Sequence, residues 1–171
     1  MQNPVRAPLF DRLVDLEPQV PAEPRPLRTL DPRGLRESVR RELERMLNTR
    51  SSLPVDRLDE RGELTVLEYG IPDLSAFSAG SEEDLARMAG VVSRAVAAFE
   101  PRLRQVRVAV ERLEGARSLR LRIDALLRID EVAEPVSFPT LIGLRTGHAQ
   151  VTQMKEGMED REAMGARTVA D

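Results

Sequence analysis

The sequence predicts an α+β fold: two main helices packed on a small, mainly antiparallel sheet. Three observations predict it. Aliphatic residues recur at helical spacing after Asp31-Pro32 and again after Ser81, and beyond Pro101 the apolar period changes from helical to two. A Gly-containing turn then joins two alternating runs, which is the signature of a β-hairpin.

Asp31 is a good N-cap and Pro32 suits the first helical position, where its missing N–H costs nothing. Leu35, Val39, Leu43, Met46 and Leu47 supply the buried stripe, and the helix is expected to end near Asn48. Leu64 to Tyr69 reads as a short strand between Gly62 and Gly70-Ile71-Pro72. Ser81 followed by Glu82, Glu83 and Asp84 starts the second helix, with carboxylates where the macrodipole favours them. Leu85, Met88, Ala89, Val92, Val96 and Phe99 form its apolar face, and Pro101 stops it at Phe99 or Glu100. Val106, Val108 and Val110 make the first strand of the hairpin, and Glu114 to Arg117 the turn. Leu119, Leu121, Ile123, Ala125, Leu127 and Ile129 make the second strand, with Arg120, Arg122, Asp124 and Arg128 on its other face. Val136 to Leu141 is a further strand, which Pro139 assigns to an edge or a bulge.

Outside this core the organisation changes. Seven of the twelve prolines lie between Pro4 and Pro32, so residues 1–29 are expected to form an extended proline-rich arm, interrupted by the apolar knot Leu9, Phe10 and Leu13. Residues 30–150 are the expected folded domain. Residues 151–171, polar and broken by Gly157 and Gly165, are expected to be a flexible tail.

Composition restricts the function. Hydrophobic residues make up 41% of the chain, enough for a core that must be aliphatic, since there is no Trp, one Tyr and four Phe. Twenty-six basic against 29 acidic residues argue against a nucleic-acid binder, which needs a basic excess. Without cysteine there is no disulfide, thiolate metal site or cysteine nucleophile, and His148 alone makes no histidine metal site. There is no glycine-rich phosphate loop and no nucleophile elbow, so neither cofactor nor catalytic residue is expected. No apolar run approaches the ~20 residues of a membrane span, and no signal peptide is visible at the N-terminus; a cytoplasmic protein without direct membrane insertion is expected.

Two clusters stand out. Glu100-Pro101-Arg102 places a carboxylate at a helix C-terminus, where the macrodipole disfavours it, next to an arginine whose backbone follows a proline. It reads either as a solvated helix stop or as a rigid charged corner for a partner. Tyr69-Gly70-Ile71-Pro72-Asp73 combines the only tyrosine with a turn that Gly70 and Pro72 constrain.

With Leu9-Phe10-Asp11-Arg12-Leu13, the Leu47–Arg50 segment and a Phe-x-Thr element at Phe138–Thr140, these clusters occur in an order that resembles the TssE family of type VI secretion and related phage baseplate-wedge proteins. The resemblance spans roughly residues 9–150 and departs at Pro139, where an acidic or polar residue would be expected. It implies a non-enzymatic baseplate subunit of a contractile injection machine, which templates the sheath by accepting donated strands at a sheet edge. It implies the wedge subunits TssF and TssG and the sheath subunits TssB and TssC as partners. The Glu100-Pro101-Arg102 corner and the Tyr69–Asp73 turn would be the protein interface, with Glu100 taking its counter-charge from the wedge. Two alternatives remain: a generic cytosolic adaptor using the same edge, and a lysozyme-like hydrolase built from two of Glu68, Asp73 and Glu100, which would have to lie roughly 5–9.5 Å apart.

Overall fold

A computed structural model of the protein describes residues 5–14, 18–19, 29–74, 77–113, 118–129, 132–143 and 145–152. The two main helices are α2 (Pro32–Leu47) and α4 (Glu82–Phe99), and a four-stranded antiparallel meander runs in the order β3 (Leu103–Arg112), β4 (Ser118–Ile129), β5 (Val132–Gly143), β6 (Ala149–Val151). Shorter elements are β1 (Val5–Arg6), α1 (Leu9–Leu13), β2 (Thr29–Leu30) and α3 (Val55–Asp59).

Both main helices start as expected. The Asp31 carboxylate accepts from the Gly34 amide at 2.6 Å, and the Ser81 hydroxyl accepts from the Asp84 amide at 3.2 Å. The α2 stripe Leu35, Val39, Leu43, Met46 and Leu47 meets Met88, Val92 and Val96 of α4 and the alternating buried row of β4 in one core. Ile123, opposite Phe138 on β5, has no exposed surface.

Three expectations change. Leu64 to Tyr69 is not a strand: Val66–Glu68 is a single 3-10 turn, because Thr65 and Glu68 close a capping box. The Thr65 hydroxyl accepts from the Leu67 amide, and the Glu68 carboxylate takes the Thr65 amide at 2.8 Å and its hydroxyl at 2.7 Å. The arm is not simply extended, since β1 pairs antiparallel with β2, and α1 is helical. The expected boundary at 150 cuts β6, whose Val151 is buried at 2% exposure. The expected turn at 114–117 and the tail from 153 onward lie outside the described residues.

Pro139 is accommodated within β5 by ladder geometry. In an antiparallel ladder the N–H and C=O of one residue face the same neighbour. Thr152 donates its amide to the Pro139 carbonyl at 2.8 Å, so Pro139 faces away from β4 and its missing N–H removes nothing from the β4–β5 ladder.

Candidate interaction site

The two sequence clusters meet on α2 and the end of α4. Tyr69, half-buried, packs its ring edge-on against Phe99 with centroids 5.3 Å apart and donates its hydroxyl to Glu42 of α2 at 3.0 Å. Burial, then the Glu42 hydrogen bond and charge, raise the phenol to about 12, so Tyr69 is neutral at physiological pH. Gly70 has φ +104°, and its Cβ position would lie 2.8 Å from the Thr49 carbonyl carbon and nearer still to the oxygen. Only glycine fits there. This approach lets Ile71 donate to the Thr49 carbonyl at 3.0 Å and accept from the Ser51 amide at 2.9 Å. Ile71 and Pro72 are buried, whereas Asp73 is exposed and lines a cleft of about 100 Å³ with Arg50 and Arg145.

The Glu100–Arg102 corner differs from its expected form. Glu100 is not a solvated charge: it is 2% exposed. Its carboxylate accepts from the Arg102 guanidinium through Nε at 2.6 Å and through Nη2, and from the Arg102 amide at 3.2 Å. The counter-charge therefore comes from within the chain, two residues away, because the turn after α4 folds Arg102 back over the helix end. Pro101 is exposed at the apex, and 22% of the Arg102 side chain is accessible.

Arg102 Nη1 donates to the Ser38 hydroxyl at 2.7 Å, and Ser38 donates onward to Asp11 of α1. Arg41, one turn beyond Ser38 on α2, donates to the other Asp11 oxygen at 2.9 Å. Burial alone would raise the Asp11 carboxyl; hydrogen bonds from Ser38 and Arg41, with the charges of Arg41 and Arg102, outweigh it and hold the group below its ordinary value. The Leu9–Leu13 segment thus reaches the corner through its aspartate. Leu13 is 73% exposed, and the side chains of Leu9 and Phe10 lie outside the described residues.

The Leu47–Arg50 segment is a junction. Asn48 donates to the Ala149 carbonyl at 2.8 Å and accepts from the Ala149 amide at 2.9 Å, so one side chain pairs with β6 as a strand would. Arg50 donates to the Gly147 carbonyl at 3.2 Å.

Sequence reasoning missed one feature. Val66 and Leu67, on the 3-10 turn, are 85% and 76% exposed side by side. The signal was present in the Thr-x-x-Glu spacing of Thr65 and Glu68, which marks a helical start rather than a strand.

Two of the three carboxylates considered for a hydrolase, Glu68 and Glu100, are engaged within the chain. Hydrogen bonds from the Thr65 side chain and backbone lower the Glu68 carboxyl, opposite to the raised value a general acid needs. Glu100 is held by Arg102.

The profile of the baseplate wedge protein gp25 family matches residues 33–132, from the first turn of α2 to the start of β5. The chain belongs to the baseplate wedge protein gp25 family. This is the family that contains TssE of type VI secretion, and its baseplate role is structural. The match covers α2, the Tyr69–Asp73 turn, α4, the Glu100-Pro101-Arg102 corner and the hairpin; Asp11 and the Phe138–Thr140 element lie outside it. No curated protein matches the chain. Among the described residues no helix is long and apolar enough to cross a membrane.

Proposed function

We propose that this protein is a structural subunit of a type VI secretion baseplate in the cytoplasm, joining the wedge subunits TssF and TssG to the sheath subunits TssB and TssC. The observation that carries the reading is the family match over α2 through β4. Those residues bring the corner and the Tyr69 turn into one hydrogen-bonded block beside a sheet with open edges. The block is a rigid surface: Pro101 and the accessible part of Arg102 face the wedge, while Glu100, Gly70, Ile71 and Pro72 hold that surface in place. Asp73, Val66 and Leu67 extend it with one charge and two aliphatic side chains. The sheet in turn takes a strand from a sheath subunit, which starts the first sheath ring.

Affinity capture of the full chain from a host carrying a complete secretion cluster tests this reading. Recovery of TssF, TssG and both sheath subunits is the expected result; their reproducible absence overturns it.

A further inference from the structure

Resting on that reading, we propose that the incoming strand adds along the outer edge of β3, and that it alternates aliphatic residues with carboxylates. The two edges of the sheet are not equivalent. On β5 the outward-facing residues are those of Pro139 parity, and those ahead of the residues paired with β6 are Ala133, Pro135, Ser137 and Pro139. Two of these four have no N–H, and β6 pairs only with Thr140, Leu141 and Ile142. The uncovered part of that edge therefore lacks a continuous row of donors, which is how proteins protect an edge from pairing.

The β3 edge is open. Arg128 donates its amide to the Arg102 carbonyl, so β4 residues of even number face β3. With Arg122 opposite Ala109 and Arg120 opposite Glu111, the groups pointing outward beyond the bulge are those of Val108, Val110 and Arg112. Each carries both N–H and C=O, and β3 contains no proline. At its near end the edge is closed: Gln105 has φ +52° in the bulge between Arg104 and Arg107, and the Val106 carbonyl accepts from the Ser93 hydroxyl at 3.4 Å.

Side chains specify the partner. Val106, Val108 and Val110 lie on the core face yet are only half-buried, so an added strand with aliphatic residues opposite them extends the core. On the solvent face, Arg107 lies opposite Asp124, but that carboxylate is engaged by Arg122 at 2.9 Å and Ser137 at 2.7 Å. Among the described residues neither Arg104 nor Arg107 forms an ion pair. A carboxylate on the new strand opposite Arg107 supplies the missing charge.

Ladder parity gives a clean test with the full chain and purified TssB–TssC sheath subunits. Val110→Pro removes an outward N–H and leaves the β3–β4 bonds intact, Ala133→Pro does the same on β5, and Arg107→Glu reverses the charge. Sheath capture is expected to fall about tenfold or more with Val110→Pro, which loses one ladder bond and obstructs its neighbour. It is expected to fall about two- to fivefold with Arg107→Glu and to be unchanged with Ala133→Pro. If Val110→Pro does not fold, Arg107→Glu against Ala133→Pro decides. Loss with Ala133→Pro, alone or together with the β3 variants, overturns the β3 assignment while leaving the baseplate reading in place. Capture unaffected by all three variants overturns strand addition along β3 and along the uncovered stretch of β5, and no capture by the unaltered chain overturns the sheath reading itself.

Discussion

Replacing Glu100 by glutamine separates a structural corner from a purely recognitional one. The side chain is 3% exposed, and all the hydrogen bonds described for its carboxylate come from Arg102. Removing one partner of a fully buried ion pair costs about 3–5 kcal/mol, because the remaining charge is left uncompensated. Here 22% of the Arg102 side chain is accessible and Ser38 still accepts from it, so water and a hydroxyl retain part of its solvation. The expected loss is therefore about 2–3 kcal/mol, or a fall in Tm of about 4–12 °C for a chain of this size. Glu100→Gln, Arg102→Met and the double variant, melted as isolated chains, form a double-mutant cycle. Their coupling should be about 2 kcal/mol, with the double variant close to Arg102→Met alone. A Tm unchanged by Glu100→Gln, together with additive single variants, would refute the argument and return Glu100 to the role of a charge held for a partner.

Gly70→Ala forces a side chain onto the Thr49 carbonyl at a φ that only glycine adopts readily; strain of about 1–3 kcal/mol plus weakening of the Ile71 bonds should lower stability by about 3 kcal/mol in urea unfolding. Asp11 makes α1 docking acid-sensitive. Its folded pKa lies below the ordinary aspartate value, so the stabilisation is complete above that ordinary value and is lost as pH falls through the folded pKa. Amide exchange in residues 5–14 should accelerate below about pH 4 relative to a neutral-pH reference corrected for intrinsic rates, and in Asp11→Asn it should already be fast at neutral pH. Val66→Ser with Leu67→Ser should change stability by less than about 0.5 kcal/mol per site, because both side chains are solvated, yet weaken capture of TssF and TssG. Undiminished capture would remove the 3-10 turn from the interface.

The sequence was most readable where one local signal acted alone. Asp31-Pro32 and Ser81 set the starts of α2 and α4, and the unbroken alternation from Leu119 to Ile129 left β4 only one face to bury. Leu64 to Tyr69 was harder because two signals compete there. Strand-type residues suggest extension, but the Thr65–Glu68 box satisfies several polar groups within one turn, and that local gain prevails. Glu100 illustrates a different limit. Its position at the end of α4 marked it as electrostatically unusual, but burial and pairing depend on the turn that brings Leu103 to donate to the Glu100 carbonyl at 3.0 Å. The direction of a side chain across such a turn is a tertiary property. The same holds for Asn48, whose two bonds to Ala149 join residues about a hundred positions apart.

These contacts place the two proposed surfaces closer together than a wedge side and a sheath side suggest. Ser38 and Arg41 of α2 receive Asp11 and Arg102, and Glu42 receives Tyr69, so a single turn of α2 fixes α1, the corner and the Tyr69 turn. Arg102 in turn adjoins Leu103, the first residue of β3, and its carbonyl accepts from Arg128 of β4. Only the Gln105 bulge separates the corner from the open stretch of β3. A partner that shifted Pro101 and Arg102 would therefore have to move either the start of the sheet or α2, and both are tied into the core. The arrangement is suited to transmitting position rather than to flexing, because packed interiors deform little before they rearrange. The orientation of the β3 edge relative to the Pro101 corner is thus set by the ion pair between Glu100 and Arg102, which gives a buried carboxylate at a helix C-terminus a structural purpose.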